Sequence, residues 1–369
     1  MERIARAKLS DWSGVLTRFT TGIMLMGTEY LDHERARDAH PIDHPDSDMA
    51  KVLETLQGLG GLPIETLTPE EARRQPTPAD AVMKILRERK VETPPTLGVS
   101  TRELSIDVAA GPLKARLYRP EGNEQGDLPL VVYFRGGGWV IASLDVYDAS
   151  PRAIAKFANC AVLSCDYRMA PEHKFPAAHE DAFEAYRWAL ANAGALGADP
   201  AKVAVMGESA GGNLAINVAM RARNEGAPAP VHMALIYPVA GVDMNNASYA
   251  ANSDAKPLNK AMMEWFVSHV FESPDQAKAD PRINIVELAD LRGLPSATVI
   301  RAEIDPLAEE GERLMRKLKD AGVDVRGDTF AGCAHEFFGM GLVVKDAAIA
   351  ESFVAHELKR AFGTAILPV

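Results

Sequence analysis

The stretch Val203-Ala204-Val205-Met206-Gly207-Glu208-Ser209-Ala210-Gly211 decides the fold. Four apolar residues run into the pattern G-x-S-x-G, and a segment of helical character follows over residues 210–224. Strand, tight turn, helix is the context in which this pattern carries chemistry. The turn leaves no room for side chains two residues either side of the serine, so glycine fills both places. The backbone at the serine is strained, and its hydroxyl stands at a helix N-terminus, where the dipole favours developing negative charge. Ser209 is therefore the candidate nucleophile.

Outward from this turn the chain alternates strands and helices. Residues 103–108 and 113–118 alternate with period two, which predicts an antiparallel start near a sheet edge. Residues 130–134, 160–165, 203–206, 233–237 and 297–300 are more uniformly apolar, as parallel strands covered on both faces must be. A last strand is predicted over 324–330. Helical stretches over 178–193, 210–224, 307–321 and 347–362 lie between or after the strands, the third ending at Gly322 as a C-cap should. The pattern is α/β, a mostly parallel sheet of roughly eight strands flanked by helices.

Two regions do not fit the alternation. Residues 1–95 look helical and end in Pro-rich linker sequence, Gln75-Pro76-Thr77-Pro78 and then Pro94-Pro95. Residues 241–293 separate two strands by more than a crossover needs. They hold an amphipathic stretch over 259–271 with Met262, Met263, Trp265, Phe266, Val270 and Phe271. Both regions read as parts of one helical cap above the carboxyl edge of the sheet, which leaves 96–240 and 294–369 as the catalytic body. A dimer surface is the competing use of the same apolar face, so a homodimer stays open.

Of the 369 residues, 47% are hydrophobic and 25% charged, values for a globular protein with ample core. The net charge of -11, with no dense basic block, argues against a nucleic-acid binder. No segment is apolar enough for a membrane span. The N-terminus, broken by charged and polar residues, reads as no secretory signal, so the cytoplasm is the expected location. Ile23-Met24-Leu25-Met26 is the one stretch suited to surface association. Cys160, Cys165 and Cys333 are too few and too scattered for a disulfide framework and read as small buried residues. His33, His40 and His44 match no zinc spacing, and no metal is expected.

A second chemical signal is Arg135-Gly136-Gly137-Gly138-Trp139, directly after the strand ending at Phe134. Glycines let backbone approach a ligand closely. Acyl transfer needs N–H donors aimed at the oxygen that becomes negative, and this loop together with the N–H of Ala210 can supply them. The serine also needs a base, and nine histidines are available. His335 follows the last predicted strand, and Asp305 ends the strand before it. Ser209, Asp305, His335 is the chain order that goes with this turn. His335 would take the Ser209 proton, and Asp305 would fix the tautomer and stabilise the imidazolium. Glu303 is the rival acid. Glu309 and Glu310 read as solvated charges. His173 and His179 look structural, and His232, His269 and His356 match no strand end.

These residues resemble a known family. Phe134-Arg135-Gly136-Gly137-Gly138-Trp139, Asp166-Tyr167-Arg168-Met169-Ala170-Pro171-Glu172-His173, Gly207-Glu208-Ser209-Ala210-Gly211-Gly212-Asn213 and Asp305-Pro306-Leu307 look like the motifs of bacterial hormone-sensitive-lipase-like carboxylesterases of the α/β-hydrolase superfamily. The resemblance implies the α/β-hydrolase fold, a cap built from the N-terminal helices and an insertion after the sixth strand, and an oxyanion hole from Gly137, Gly138 and Ala210. It also implies small ester substrates with short or medium acyl chains, and no cofactor. The chain-length limit would then depend on how the Trp139 loop and cap side chains such as Met262 and Phe266 close over the serine. The chain departs from the family at Arg135, where histidine is usual, and at Glu208, where Asp is common. The same triad would serve an amide, lactone or formyl hydrolase. A non-catalytic ligand receptor on this fold is the reading from another class, and the presence of His335 argues against it.

Overall fold

The eight predicted strands all form, and they join one sheet. They are β1 (Val99–Val108), β2 (Gly111–Pro120), β3 (Leu128–Phe134), β4 (Ala161–Cys165), β5 (Ala198–Glu208), β6 (His232–Ile236), β7 (Ser296–Ile304) and β8 (Val325–Ala334). The structure is a computed structural model that describes residues 44–91, 95–123 and 127–365. His33, His40, the 23–26 stretch and the rest of the first 43 residues lie outside the described residues. The strand order is β1-β2-β4-β3-β5-β6-β7-β8. β1 and β2 form an antiparallel hairpin at one edge, and β2 pairs antiparallel with β4. All later pairings are parallel.

β3 shows why the central strands are apolar throughout. Leu130, Val132 and Phe134 join one core, with the helices Ala177–Ala191, Ala210–Glu225 and Ala308–Asp320 over it. Val131 and Tyr133 point the other way, into a second core under the helices Ala149–Ala158 and Lys345–Phe362. A strand covered on both faces has no solvent side on which to carry polar residues. The helix Ala149–Ala158 falls where the sequence predicts none. Its buried residues are Ser150, Pro151, Ala153, Ile154, Ala155 and Ala158, with Ile154 the one large aliphatic among them, so its apolar stripe is weak.

The segment before the sheet contributes the helices Ser47–Gln57, Pro69–Ala72 and Pro78–Glu88. Here the reading of Gln75 to Pro78 as linker is corrected. Pro78 is the first residue of a helix, and Thr77 and Asp80 cap it reciprocally. Proline suits that position, because its missing N–H would have no intrahelical partner. Arg73 ties this segment to the catalytic body. It donates to the carbonyls of Val140 and Ala170, both at 2.8 Å, and pairs with Glu172. The insertion between β6 and β7 holds the helices Ala247–Ala251, Lys260–Val270, Pro274–Ala279 and Ile285–Leu288. The Trp265 indole N–H of this insertion donates to the carbonyl of Leu67 at 3.0 Å, so the two regions outside the alternation touch each other.

The glycines around the serine turn are fixed by contact. A Cβ on Gly207 would overlap the carbonyl of Gly211, and one on Gly211 would overlap the carbonyl of Phe134 at the end of β3. Gly194, by contrast, has open space around its missing side chain. Gly207→Ala and Gly211→Ala are each expected to lose at least about 2 kcal/mol in urea unfolding, since forced overlap in a packed interior costs that much or more. Gly194→Ala should change stability little in the same experiment.

Candidate active site

β5 ends at Glu208 and the helix Ala210–Glu225 begins one residue later, so the whole reversal falls on Ser209. Its backbone sits at φ +55°, ψ -119°. A side-chain-bearing residue held there stores about 1–3 kcal/mol of strain. Neighbouring backbone holds it. The Ser209 N–H donates to Ile236 O at 2.9 Å, and the Ser209 carbonyl accepts from Val239 at 3.1 Å and Asn213 at 3.2 Å.

Two strand ends bring the partners. Ile304 of β7 pairs with Ala334 of β8, so the next residues, Asp305 and His335, leave the sheet side by side. His335 Nδ1 lies 2.7 Å from Asp305 Oδ2, and His335 Nε2 lies 3.0 Å from Ser209 Oγ. The other Asp305 oxygen accepts from the N–H of Leu307 at 2.9 Å, which fixes the carboxylate plane. All three residues are buried. Burial pulls the imidazole pKa down, but the charge and hydrogen bond of Asp305, with the charges of Glu336 and Glu208, outweigh it and raise the pKa. An imidazole so placed between a hydroxyl and a carboxylate can take the serine proton and hold it.

The rivals are engaged elsewhere. Glu303 accepts from the N–H of Gly332 at 2.8 Å, and a bulge between Ala302 and Ile304 breaks the simple alternation near the end of β7. Glu309 accepts from the N–H of Ala247. Glu310 is not the solvated charge its sequence suggests. It is buried, accepts from the N–H of Ala240 at 3.2 Å, and burial raises its pKa to about 8. It therefore fastens the residue just before the insertion to the helix that follows Asp305. His232 sits between the hydroxyls of Ser296 and Thr298, and burial depresses its pKa to about 3. The three cysteines are free and buried, and burial raises the pKa of each thiol.

The glycine loop lies beside the serine. Gly137 and Gly138 have φ of +100° and +58°, a region that penalises other residues. Among the described residues, no acceptor takes the N–H of Gly137 or Gly138. The N–H of Ala210 opens the helix and has no intrahelical acceptor. Arg135 holds the loop from behind. It is wholly buried, and its guanidinium donates to Asp166 Oδ1 from Nε and Nη2 and to the carbonyls of Gly136 and Ile141 from Nη1. It stacks on the Tyr167 ring at 4.5 Å, and the Tyr167 hydroxyl donates to Arg135 O and Gly136 O. One rigid fork thus fixes the ends of the loop.

Of the three residues expected near the substrate, Phe266 reaches the loop, its ring filling the space a side chain on Gly138 would need. Met262 is half-buried at the start of its helix, its N–H capped by the Asn259 side chain. Trp139 is buried, with its ring 5.9 Å from that of His179 and 6.3 Å from that of Phe271. Trp139 Nε1 and His179 Nδ1 are both buried without a hydrogen-bond partner among the described residues. Glu208, which the sequence marks only as a departure from the family pattern, accepts from the hydroxyls of Tyr133 and Tyr237. The available signal was an acid at the end of an apolar strand.

A serine on a strained strand-to-helix turn, with acid and base at the next strand ends, defines an α/β hydrolase. The family model described as alpha/beta hydrolase fold matches residues 131–339, and the chain belongs to that family, in its hormone-sensitive-lipase-like branch. The carboxylic ester hydrolase LipN of Mycobacterium tuberculosis is 39% identical over 251 residues, which cover 67% of this chain and 66% of LipN. The carboxylesterase NlhH of the same organism is 37% identical over 292 residues, 77% of this chain and 91% of that protein. A hyperthermophilic esterase from the archaeon Pyrobaculum calidifontis superposes with a TM-score of 0.77 at 33% identity, over 86% of this chain and 98% of the other.

Removing the Arg135 fork should displace the loop donors and leave substrate binding nearly intact. Arg135→Ala is expected to lower kcat on p-nitrophenyl acetate about 100-fold with little change in KM, the scale of losing one oxyanion donor. Arg135→Lys, which keeps the charge and loses the fork, should fall between the two.

Proposed function

We propose that this protein is a serine carboxylesterase that hydrolyses small esters of short-to-medium acyl chain through an acyl-enzyme. The observation that carries the reading is the continuous line from Ser209 Oγ to His335 Nε2 and from His335 Nδ1 to Asp305 Oδ2, at 3.0 and 2.7 Å. In this reading Ser209 Oγ attacks the ester carbonyl carbon while its proton passes to His335 Nε2. The carbonyl oxygen becomes an oxyanion and accepts from the N–H groups of Gly137, Gly138 and Ala210. When the C–O bond breaks, His335 returns the proton to the departing alcohol. Water, deprotonated by His335, then attacks the acyl carbon; the bond to Ser209 Oγ breaks, His335 returns the proton to that oxygen, and the acid leaves. Asp305 holds the imidazole in the tautomer that presents a bare Nε2 to the serine.

The 1–95 segment and the 241–293 insertion are parts of one cap in this reading, which the hydrogen bond from Trp265 to Leu67 supports. Phe266 against Gly138 and the Trp139–Phe271 contact place bulky rings around the glycine loop, which supports a preference for short acyl chains. Among the described residues no helix is long and apolar enough to cross a membrane. A cytoplasmic location fits three free thiols, since thiols persist in a reducing compartment. Met263, Trp265, Phe266, Val270 and Phe271 are buried within the chain's own core, which favours the cap over a dimer surface as the use of that apolar face.

Ser209→Ala is expected to lower kcat by at least about 10⁴-fold while the protein stays folded, as removal of a triad member does. Across p-nitrophenyl esters from acetate to palmitate, kcat/KM should peak at the short end. A maximum on insoluble long-chain triglycerides contradicts the acyl-length assignment. Activity requires neutral His335, and its pKa is raised. The acidic limb of kcat/KM should therefore lie above the pH at which a free imidazole titrates, with activity lost as pH falls through it.

A further inference from the structure

A carboxylate lies buried directly behind the nucleophile, and the reaction as written does not use it. Glu208 is the last residue of β5 and is wholly buried. Its Oε1 accepts from the Tyr133 hydroxyl and its Oε2 from the Tyr237 hydroxyl, each at 2.5 Å. The nearby Ser150 hydroxyl also favours its charged form. Hydrogen bonds this short to a carboxylate belong to the strong, charge-assisted class. A group that only filled space would not need a charge there, because burying a carboxylate is costly unless something is gained.

Tyr237 connects this acid to the base. Its ring lies 4.6 Å from the His335 imidazole, centroid to centroid, at a tilt of 50°. Its backbone sits at φ +33°, uncommon for a tyrosine, and its N–H donates to Ile300 O at 2.6 Å. One residue thus touches Glu208 with its hydroxyl and His335 with its face. The other titratable groups around Glu208 come from several elements. Tyr147, beyond the glycine loop, donates to Glu336, the residue after His335, at 2.8 Å. Glu351, on the helix Lys345–Phe362, accepts from the N–H of Gly341 at 3.2 Å and feels the charge of Glu208.

We propose that Glu208 is a positioning residue for His335, holding the Tyr237 ring against the imidazole and facing it with a carboxylate while the Ser209 proton resides on it. The proposal rests on the serine-esterase reading and deepens it. Burial raises the Glu208 carboxyl to about 7, against the lowering effect of the Ser150, Tyr133 and Tyr237 hydroxyls, and the charge of Glu336 adds to the rise. Glu208 is in turn one of the charges that raise His335. A nearby negative charge favours the imidazolium, so taking it away makes His335 easier to deprotonate. The acidic limb then moves to lower pH, and the plateau rate falls because the protonated base is less stabilised.

The test is the pH profile of kcat and kcat/KM on p-nitrophenyl acetate for wild type, Glu208→Gln, Glu208→Asp and Tyr237→Phe, with thermal melts alongside. Glu208→Gln is expected to shift the acidic limb down by about half a pH unit or more and to lower plateau kcat about tenfold, with KM little changed, the scale of losing one nearby charge. Glu208→Asp keeps the charge and should keep the limb. Tyr237→Phe keeps the carboxylate and frees the ring, so kcat should fall with the limb in place. A purely structural Glu208 would lower the melting temperature and leave the limb where it was, and that result overturns the proposal. Should Glu208→Gln fail to fold, unchanged kcat in Tyr237→Phe overturns it equally. A wild type that hydrolyses no ester defeats the esterase reading as well, whereas an active wild type with an unmoved Glu208→Gln limb defeats this inference alone.

Discussion

Everything in the site follows from holding Ser209 in a backbone conformation that a serine resists. The N–H bond to Ile236 O and the two bonds accepted by the Ser209 carbonyl fix the turn. They can do so because Gly207 and Gly211 bring backbone against backbone. Gly211 rests on the carbonyl of Phe134, the residue from which the glycine loop departs. Ser209 and the glycine loop are therefore positioned by the same contact. The acid and the base arrive by a different route, as the residues just beyond the last β7–β8 pair. Their spacing is a matter of strand register, which a packed sheet does not let slip.

The glycine loop has to be free of side chains to offer its N–H groups, and that freedom must be limited elsewhere. Arg135 supplies the limit from a wholly buried position. Removing its guanidinium would take a donor from Asp166 and from the Ile141 carbonyl, and would leave Gly136 O with the Tyr167 hydroxyl. The guanidinium is buried but Asp166 is partly exposed, and the planar fork spends its donors on fixed positions at both ends of the loop. The strained turn, the fork behind the loop and the acid behind the base are three separate supports for atoms that must stay within hydrogen-bonding range of one another.

Much of this was legible in the sequence because it is local or periodic. The eight strands show as apolar runs and alternations, and the serine turn shows as two glycines at fixed distance. Asp305 and His335 stood out as candidates because each follows a strand, and the structure brings both side chains to Ser209. What the sequence hid depends on tertiary burial. Glu310 looks like any charge in an acidic first turn until Ala240 is packed onto it. Pro78 looks like linker until Thr77 and Asp80 are seen to cap the helix it opens. The Tyr133, Tyr237 and Glu208 group is drawn from β5 and two neighbouring chain segments, and no spacing along one segment records it. Arg135 stood out as a departure, but its partner Asp166 is brought beside it only by the pairing of β3 with β4.

The central claim is that Ser209 is the atom that reacts and that His335 makes it reactive. Intact-mass analysis after exposure to a fluorophosphonate, with peptide mapping, reads both at once. One adduct per chain on the peptide containing Ser209, formed at least about 10³-fold more slowly in folded His335→Ala, is the result this account predicts. An adduct on any other residue, or labelling of His335→Ala as fast as the wild type, would contradict it.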